Sequence, residues 1–249
     1  MASIISLIAV VVHACGGAPI PEERDWVTFK IRVLLEEASP GLPRINVDKN
    51  PEHCGDSLLD PVLLVGAEGG VKNCVISLEP IYMDLSFKLD PAEVRVESSD
   101  CLLKPRVQCL PLDSTLKLQN VDSITHNPHL WSPDGRTAAN VTLFNDKLRP
   151  IVELSSPGAW RLDCDIHDWM RAYVHVFPHP LYALTGPDGS ASFPTRCPPG
   201  KYRLRVWHEV LGERVEEIVV SGVEHSVHLP LSDHRPERLI PDGMAAWLE

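Results

Sequence analysis

The stretch Cys164-Asp165-Ile166-His167-Asp168-Trp169-Met170 sets a thiol, an imidazole and a thioether at successive three-residue steps. These are the donors of a blue-copper ion, in which soft sulfur suits Cu(I), imidazole suits Cu(II), and a site of intermediate shape holds both. Residues 159–164, which lead into the stretch after the turn Pro157-Gly158, and 172–177, which are rich in aromatic and β-branched residues, both read as short strands. The stretch is therefore predicted to be a loop joining two strands. Each of the three residues alone is ordinary core or surface material, and only their combination at this spacing carries the reading.

Such a site needs a second imidazole from elsewhere in the chain. Thr125-His126-Asn127-Pro128-His129 lies upstream, after a strand predicted over residues 115–120. His126 and His129 stand three residues apart, and on an extended chain they face opposite ways, so one of them binds. His126 is preferred, with His129 its competitor. Further short strands are predicted over 27–33, 71–78, 106–110, 140–144 and 151–154, each bounded by Pro, Gly, Asp or Asn. The chain has 23 prolines and no helical apolar period after its N-terminus. The expected fold class is all-β: a Greek-key β-sandwich followed by a second small β-sandwich.

The Cys-x-x-His-x-x-Met loop, with His126-Asn127 upstream, resembles the cupredoxins and is most similar to the amicyanin-type loop. Pro105 ahead of the 106–110 strand, Asn120 before the turn to His126, and Pro157-Gly158 before the strand into Cys164 belong to the same resemblance, which covers residues 72–177. It implies one type 1 copper ion held by His126 and His167 through Nδ1, by the Cys164 thiolate, and by a long axial bond from Met170. It also implies that Asn127 ties the two ligand segments together, and that the outer edge of His167, in an apolar surface patch, is the electron port. Two residues depart from the pattern. Asp168 stands where a proline commonly follows the ligand histidine, and Asp113 replaces the usual turn glycine.

Residues 181–220, with Asp188-Gly189, Pro198-Pro199-Gly200 and Tyr202, resemble the carboxypeptidase regulatory-like (transthyretin-like) β-sandwich. This implies a binding or spacer module in which the turns need glycine and Tyr202 fills the core. Both modules together resemble exported bacterial proteins of the methylamine-utilisation type. The expected organisation is a signal or lipoprotein signal peptide over 1–15, strands and loops over 16–71, the cupredoxin-like unit over 72–178, the second sandwich over 179–231, and a tail over 232–249.

The apolar run at residues 4–12 is too short to span a bilayer and fits the core of an export signal. Val12-His13-Ala14-Cys15 is loosely similar to a lipoprotein cleavage box, so lipidation of Cys15, plain secretion and a buried N-terminal strand are all open readings. The expected location is periplasmic or secreted, with membrane attachment through Cys15 in the lipidated case. Seven cysteines in an oxidising compartment leave an odd thiol once Cys15 and Cys164 are set aside. Cys54 with Cys101 is the preferred disulfide among Cys54, Cys74, Cys101, Cys109 and Cys197, because both lie beside turn-like sequence.

A formal charge of −11 disfavours a nucleic-acid partner, which demands a basic face. Trp207-His208-Glu209 has no nucleophile or second acid at matching spacing, and is read as a strand exposing an imidazole. Multicopper enzymes need further paired histidines such as His-x-His, which this sequence lacks. The expected function is an exported single-electron carrier that transforms no substrate and meets a redox partner protein. Copper storage or delivery through the same ligands is the alternative, and a cupredoxin-fold structural module is the third reading.

Overall fold

A computed structural model of the chain describes residues 10–12, 25–37, 39, 41–66, 68–82, 85–144, 147–222 and 224–230. Among these residues the regular structure is nearly all β-strand, and the only α-helix is the single turn Pro51–Cys54. Six sheets form, and the four larger ones pack as two sandwiches.

The first sandwich carries the ligand loop. One of its sheets has Ser114–Asn120 at its centre, antiparallel to Lys147–Leu154 and parallel to Glu93–Ser99, with Leu102–Lys104 at the edge. The facing sheet runs Thr137–Asn140, Pro128–Trp131, Gly158–Cys164, Arg171–Phe177 and Val107–Pro111. The chain passes between these sheets repeatedly, which produces the Greek-key connection and the parallel pairs. Strand periodicity decides what meets in the middle: Ser114, Leu116, Leu118 and Asn120 turn inward from one strand, and Leu116, Leu118, Leu130, Leu162 and Val174 are essentially without solvent exposure. Removing one such leucine costs about 2–5 kcal/mol.

The second sandwich packs Tyr182–Leu184, Val75–Pro80, Gly200–His208 and Gly212–Val220 against Ser190–Ser192, Lys30–Leu35 and His225–Leu229. Its strands come from both sides of the first sandwich in sequence. This differs from the expected division at residues 72 and 179: the strand predicted over 71–78 appears as Val75–Pro80 and pairs with Gly200–His208. Tyr202 fills the core as expected, donating its hydroxyl to the Pro198 carbonyl at 2.7 Å. Gly189 has φ +76°, and a Cβ there would lie 2.3 Å from the Val33 carbonyl oxygen, so the turn admits only glycine.

Other boundaries shift for identifiable reasons. The strand predicted over 140–144 lies at Thr137–Asn140 instead, while Leu143 beyond it exchanges backbone hydrogen bonds with His126 at 3.1 and 2.8 Å. Asp113 has φ 65°, the left-handed turn conformation that glycine usually serves and that aspartate tolerates. His208, expected to expose its imidazole, is buried, and Glu209 forms a bidentate pair with Arg106 at 2.6 and 2.8 Å. That pair and an apolar cluster around Val75, Val107 and Phe177 join the two sandwiches.

Of the expected export signal, residues 10–12 are described, as a strand beside Leu85–Phe87. Cys15 and the tail over 232–249 lie outside the described residues. Among the described residues no helix is long and apolar enough to cross a membrane.

Candidate metal centre

The end of Gly158–Cys164 delivers Cys164 to the interior, and the following turn folds back so that the Cys164 N–H donates to the Met170 carbonyl at 3.2 Å and the Met170 N–H to the His167 carbonyl at 2.9 Å. This tight return places His167 beside Cys164 and buries Met170 completely in the same core cluster. His126 arrives just ahead of the neighbouring strand Pro128–Trp131, whose Pro128 is paired with Cys164 in the ladder. The register therefore fixes the approach of the remote imidazole to the loop.

Three donor atoms converge. His126 Nδ1 lies 3.1 Å from His167 Nδ1, and Cys164 Sγ lies 3.9 and 3.7 Å from them respectively. A triangle with these sides has a centre roughly 2.1 Å from every donor, in line with metal–imidazole and metal–thiolate bonds of about 2.0–2.3 Å. The tautomers agree with this. His126 Nε2 faces Asp122 Oδ2 at 2.9 Å and His167 Nε2 faces Asn50 Oδ1 at 3.0 Å, both acceptors. A neutral imidazole carries one N–H, so these bonds put it on Nε2 and leave the Nδ1 lone pairs aimed at the centre. Two lone pairs 3.1 Å apart beside a sulfur repel each other unless a cation lies between them. The donor set thus fits a soft, roughly trigonal metal ion.

The electrostatics favour the ligating forms. Burial opposes ionisation of the Cys164 thiol, while the Asn127 N–H turned toward Sγ at 3.4 Å favours the thiolate, and the group lies below the ordinary thiol range. The other free thiols among the described residues move the opposite way: burial pushes Cys74 up to about 12 and Cys197 up to about 11, and raises Cys109 as well. Cys164 alone of these is shifted toward the thiolate. Asp122 resists its own burial through the His126 hydrogen bond and the Cys101 and Asp100 N–H groups, which bring it down to about 2.

Asn127 links the ligand segments, as the resemblance implies. Its N–H points to Cys164 Sγ at 3.4 Å, its carbonyl accepts from the Asp165 N–H at 3.0 Å, and its side chain reaches Asp165 Oδ2 at 3.0 Å. His129 points away from the centre and contacts Asp165 Oδ1 and Thr137 Oγ1. Trp169 packs as a supporting aromatic, with its ring against His167 at 5.2 Å and its Nε1–H donated to the Cys101 carbonyl at 3.0 Å.

One expectation fails. The His167 edge is not an exposed port: the residue has no solvent exposure, because Asn50 covers its Nε2. Sequence reasoning also missed Asp122 and Asn50. Asp122 stood four residues before His126, where a turn acid was open to inspection. Asn50 lies 117 residues from His167 and gave no local signal. The preferred disulfide, Cys54 to Cys101, is present.

No protein-family model matches the chain, and no curated protein matches it. Solved structures that it resembles include a purple cupredoxin from Nitrosopumilus maritimus, at 19% identity over 35% of this chain and 100% of that chain, TM-score 0.29. A copper-containing nitrite reductase from Thermus scotoductus SA-01 matches at 19% identity over 40% of this chain and 25% of that one, TM-score 0.31. A reduced-state variant of amicyanin matches at 16% identity over 34% of this chain and 82% of that one, TM-score 0.31. At these scores the likeness is partial and weak, and the case for a metal centre stands on the geometry of His126, Cys164 and His167.

Proposed function

We propose that the chain binds one copper ion through His126, Cys164 and His167, with the Met170 thioether as a further candidate donor, and acts as a single-electron carrier rather than an enzyme. The observation that supports this reading is the triangle of two Nδ1 atoms and one Sγ, with both Nε2 atoms already committed to acceptors. Bound copper supplies a one-electron Cu(I)/Cu(II) couple. The protein's residues do the rest: Asp122 and Asn50 hold the two imidazoles in one tautomer and one orientation, and the Asn127 N–H stabilises the Cys164 thiolate. Complete burial of His126, His167 and Met170 keeps water from the centre, so little solvent reorganises when charge changes.

Storage or delivery of copper uses the same ligands and is the second reading, favoured by the closed surface over His167. Absorption and paramagnetic-resonance spectra of the copper-loaded chain separate the two. A carrier shows an intense thiolate-to-Cu(II) band near ~600 nm, as a His₂Cys trigonal site should, and loses it on Cys164→Ser. A delivery protein is colourless and holds Cu(I). A coloured band that survives Cys164→Ser refutes the site.

The reading places the chain outside the cytoplasm, exported with or without lipid on Cys15, where a redox partner protein exchanges its electron. The second sandwich, similar to carboxypeptidase regulatory-like modules, serves as a spacer or binding module.

A further inference from the structure

Residues 44–59 form a hairpin, Arg44–Asn46 against Ser57–Leu59, with the single helical turn Pro51–Cys54 at its tip. Asn50 begins that turn with φ 52° and ψ 44°, and its carbonyl accepts from the His53 and Cys54 N–H groups at 3.0 and 2.9 Å. The conformation aims the Asn50 side chain at His167, where Oδ1 meets Nε2 at 3.0 Å.

The tip is held from its other side. Cys54 is bonded to Cys101, the Cys101 carbonyl accepts from Trp169 Nε1–H, and the Trp169 ring stands against His167. A closed circuit of hydrogen bonds, one disulfide and one edge-on ring contact thus runs from His167 through Asn50, Cys54, Cys101 and Trp169 back to His167. Val47, Cys54 and Cys101 are buried together beneath it, with Leu58, Ile124 and Trp169 packed on them. A hairpin with this much packing, a covalent tie and its polar tip inserted over a ring edge is a built cover.

We propose that residues 44–59 are a disulfide-tied cover over the metal centre and that Asn50 is the positioning residue for His167, fixing its Nε2–H and shutting its edge from solvent and from direct docking. The proposal rests on the copper reading for its purpose and on the apo chain for its geometry. A redox partner therefore meets the cover, and not the imidazole edge.

The test uses the full-length apo chain with its disulfide intact and diethyl pyrocarbonate as the probe, which acylates accessible imidazole nitrogens; modification is read residue by residue by peptide mass spectrometry. Exposed His228 is the internal reference. In the wild type, His167 reacts at least ten-fold more slowly than His228. Asn50→Gly suits the positive φ and removes the acceptor, together with the Nδ2–H bond to Glu52; it speeds modification of His167 at least ten-fold and leaves His228 unchanged. Asn50→Asp keeps an acceptor in place and restores protection to within about two-fold of wild type.

Cleavage of Cys54–Cys101 by a dithiol, an independent opening of the cover, also speeds modification of His167. Equal rates at His167 and His228 in the wild type overturn the proposal, as do equal effects of Asn50→Gly and Asn50→Asp. In the copper-loaded chain, Asn50→Asp has a lower reduction potential than Asn50→Gly, because an added anion beside His167 favours Cu(II); equal potentials count against a positioning role. Copper stoichiometry is measured separately. A chain that binds no copper but shows Asn50-dependent protection refutes the copper reading and keeps the cover. A chain with a thiolate–copper band but no Asn50 dependence does the reverse.

Discussion

Replacement of Asp122 by asparagine removes one carboxylate that accepts three hydrogen bonds, from His126 Nε2 at 2.9 Å, the Asp100 N–H at 2.8 Å and the Cys101 N–H at 3.1 Å. An amide has one acceptor oxygen, so its NH₂ must face either the imidazole N–H or a backbone N–H, donor against donor. The hydrogen bonds from His126, Cys101 and Asp100 hold the native carboxyl down to about 2, against an ordinary aspartate value of 3.8. A folded-state value below the unfolded one contributes stability that is present above the unfolded value and lost as pH falls through the folded one. At about 1.4 kcal/mol per unit, the contribution at neutral pH is about 2 kcal/mol. Urea unfolding of the apo chain at pH 7 should therefore show Asp122→Asn less stable by about 2 kcal/mol, with the deficit shrinking by roughly half at pH 3. Copper affinity, measured by competition with a chromogenic chelator, should fall about 10–100-fold, the usual effect of losing the group that orients a ligating histidine. A deficit that is the same at pH 3 and pH 7, or an unchanged copper affinity, refutes the role given to Asp122.

Three further outcomes follow from named contacts. Glu209→Ala leaves the Arg106 guanidinium buried with only Asp60, at 3.9 Å, nearby, and should cost about 3 kcal/mol in denaturant unfolding; the paired change of Arg106→Met with Glu209→Leu should recover most of it. A double-mutant cycle with no coupling would show that the pair does not hold the sandwiches together. Gly189→Ala should destabilise by about 3 kcal/mol, since both its positive φ and the Val33 carbonyl stand in the way, while the spectrum of the copper-loaded chain stays unchanged because the turn lies in the other sandwich. Replacing both Cys54 and Cys101 by serine opens a loop of sequence separation 47; the chain-entropy account puts the cost at about 4 kcal/mol, and a thermal midpoint equal to wild type would contradict it.

The side chains of the candidate centre were legible because they are local in two places. Cys164, His167 and Met170 share one loop, and His126 follows a strand whose inward residues alternate, so residue type and spacing carry the chemistry without knowledge of the partner strands. The all-β class was legible for the same reason: period-two burial and turn residues are properties of short segments. The preferred Cys54–Cys101 pairing rested on turn-like flanks alone, and it joined the right residues without revealing what the bond holds in place.

What tertiary structure decided is what lies opposite each segment. A strand pattern says that one face is buried but not which sheet buries it, so residues 75–80 were placed with the first sandwich and in fact complete the second. Leu143 reads as part of a strand and instead makes an isolated bridge to His126. The resemblance implied an exposed His167 edge, and an asparagine 117 residues away closes it. The amino-acid sequence by itself determined the candidate donors, their spacing and the strands that carry them, because those depend on neighbours along the chain. Only the fold decided that both Nε2 atoms are held and the centre is covered, because hydrogen bonds from Asp122 and Asn50 depend on neighbours in space.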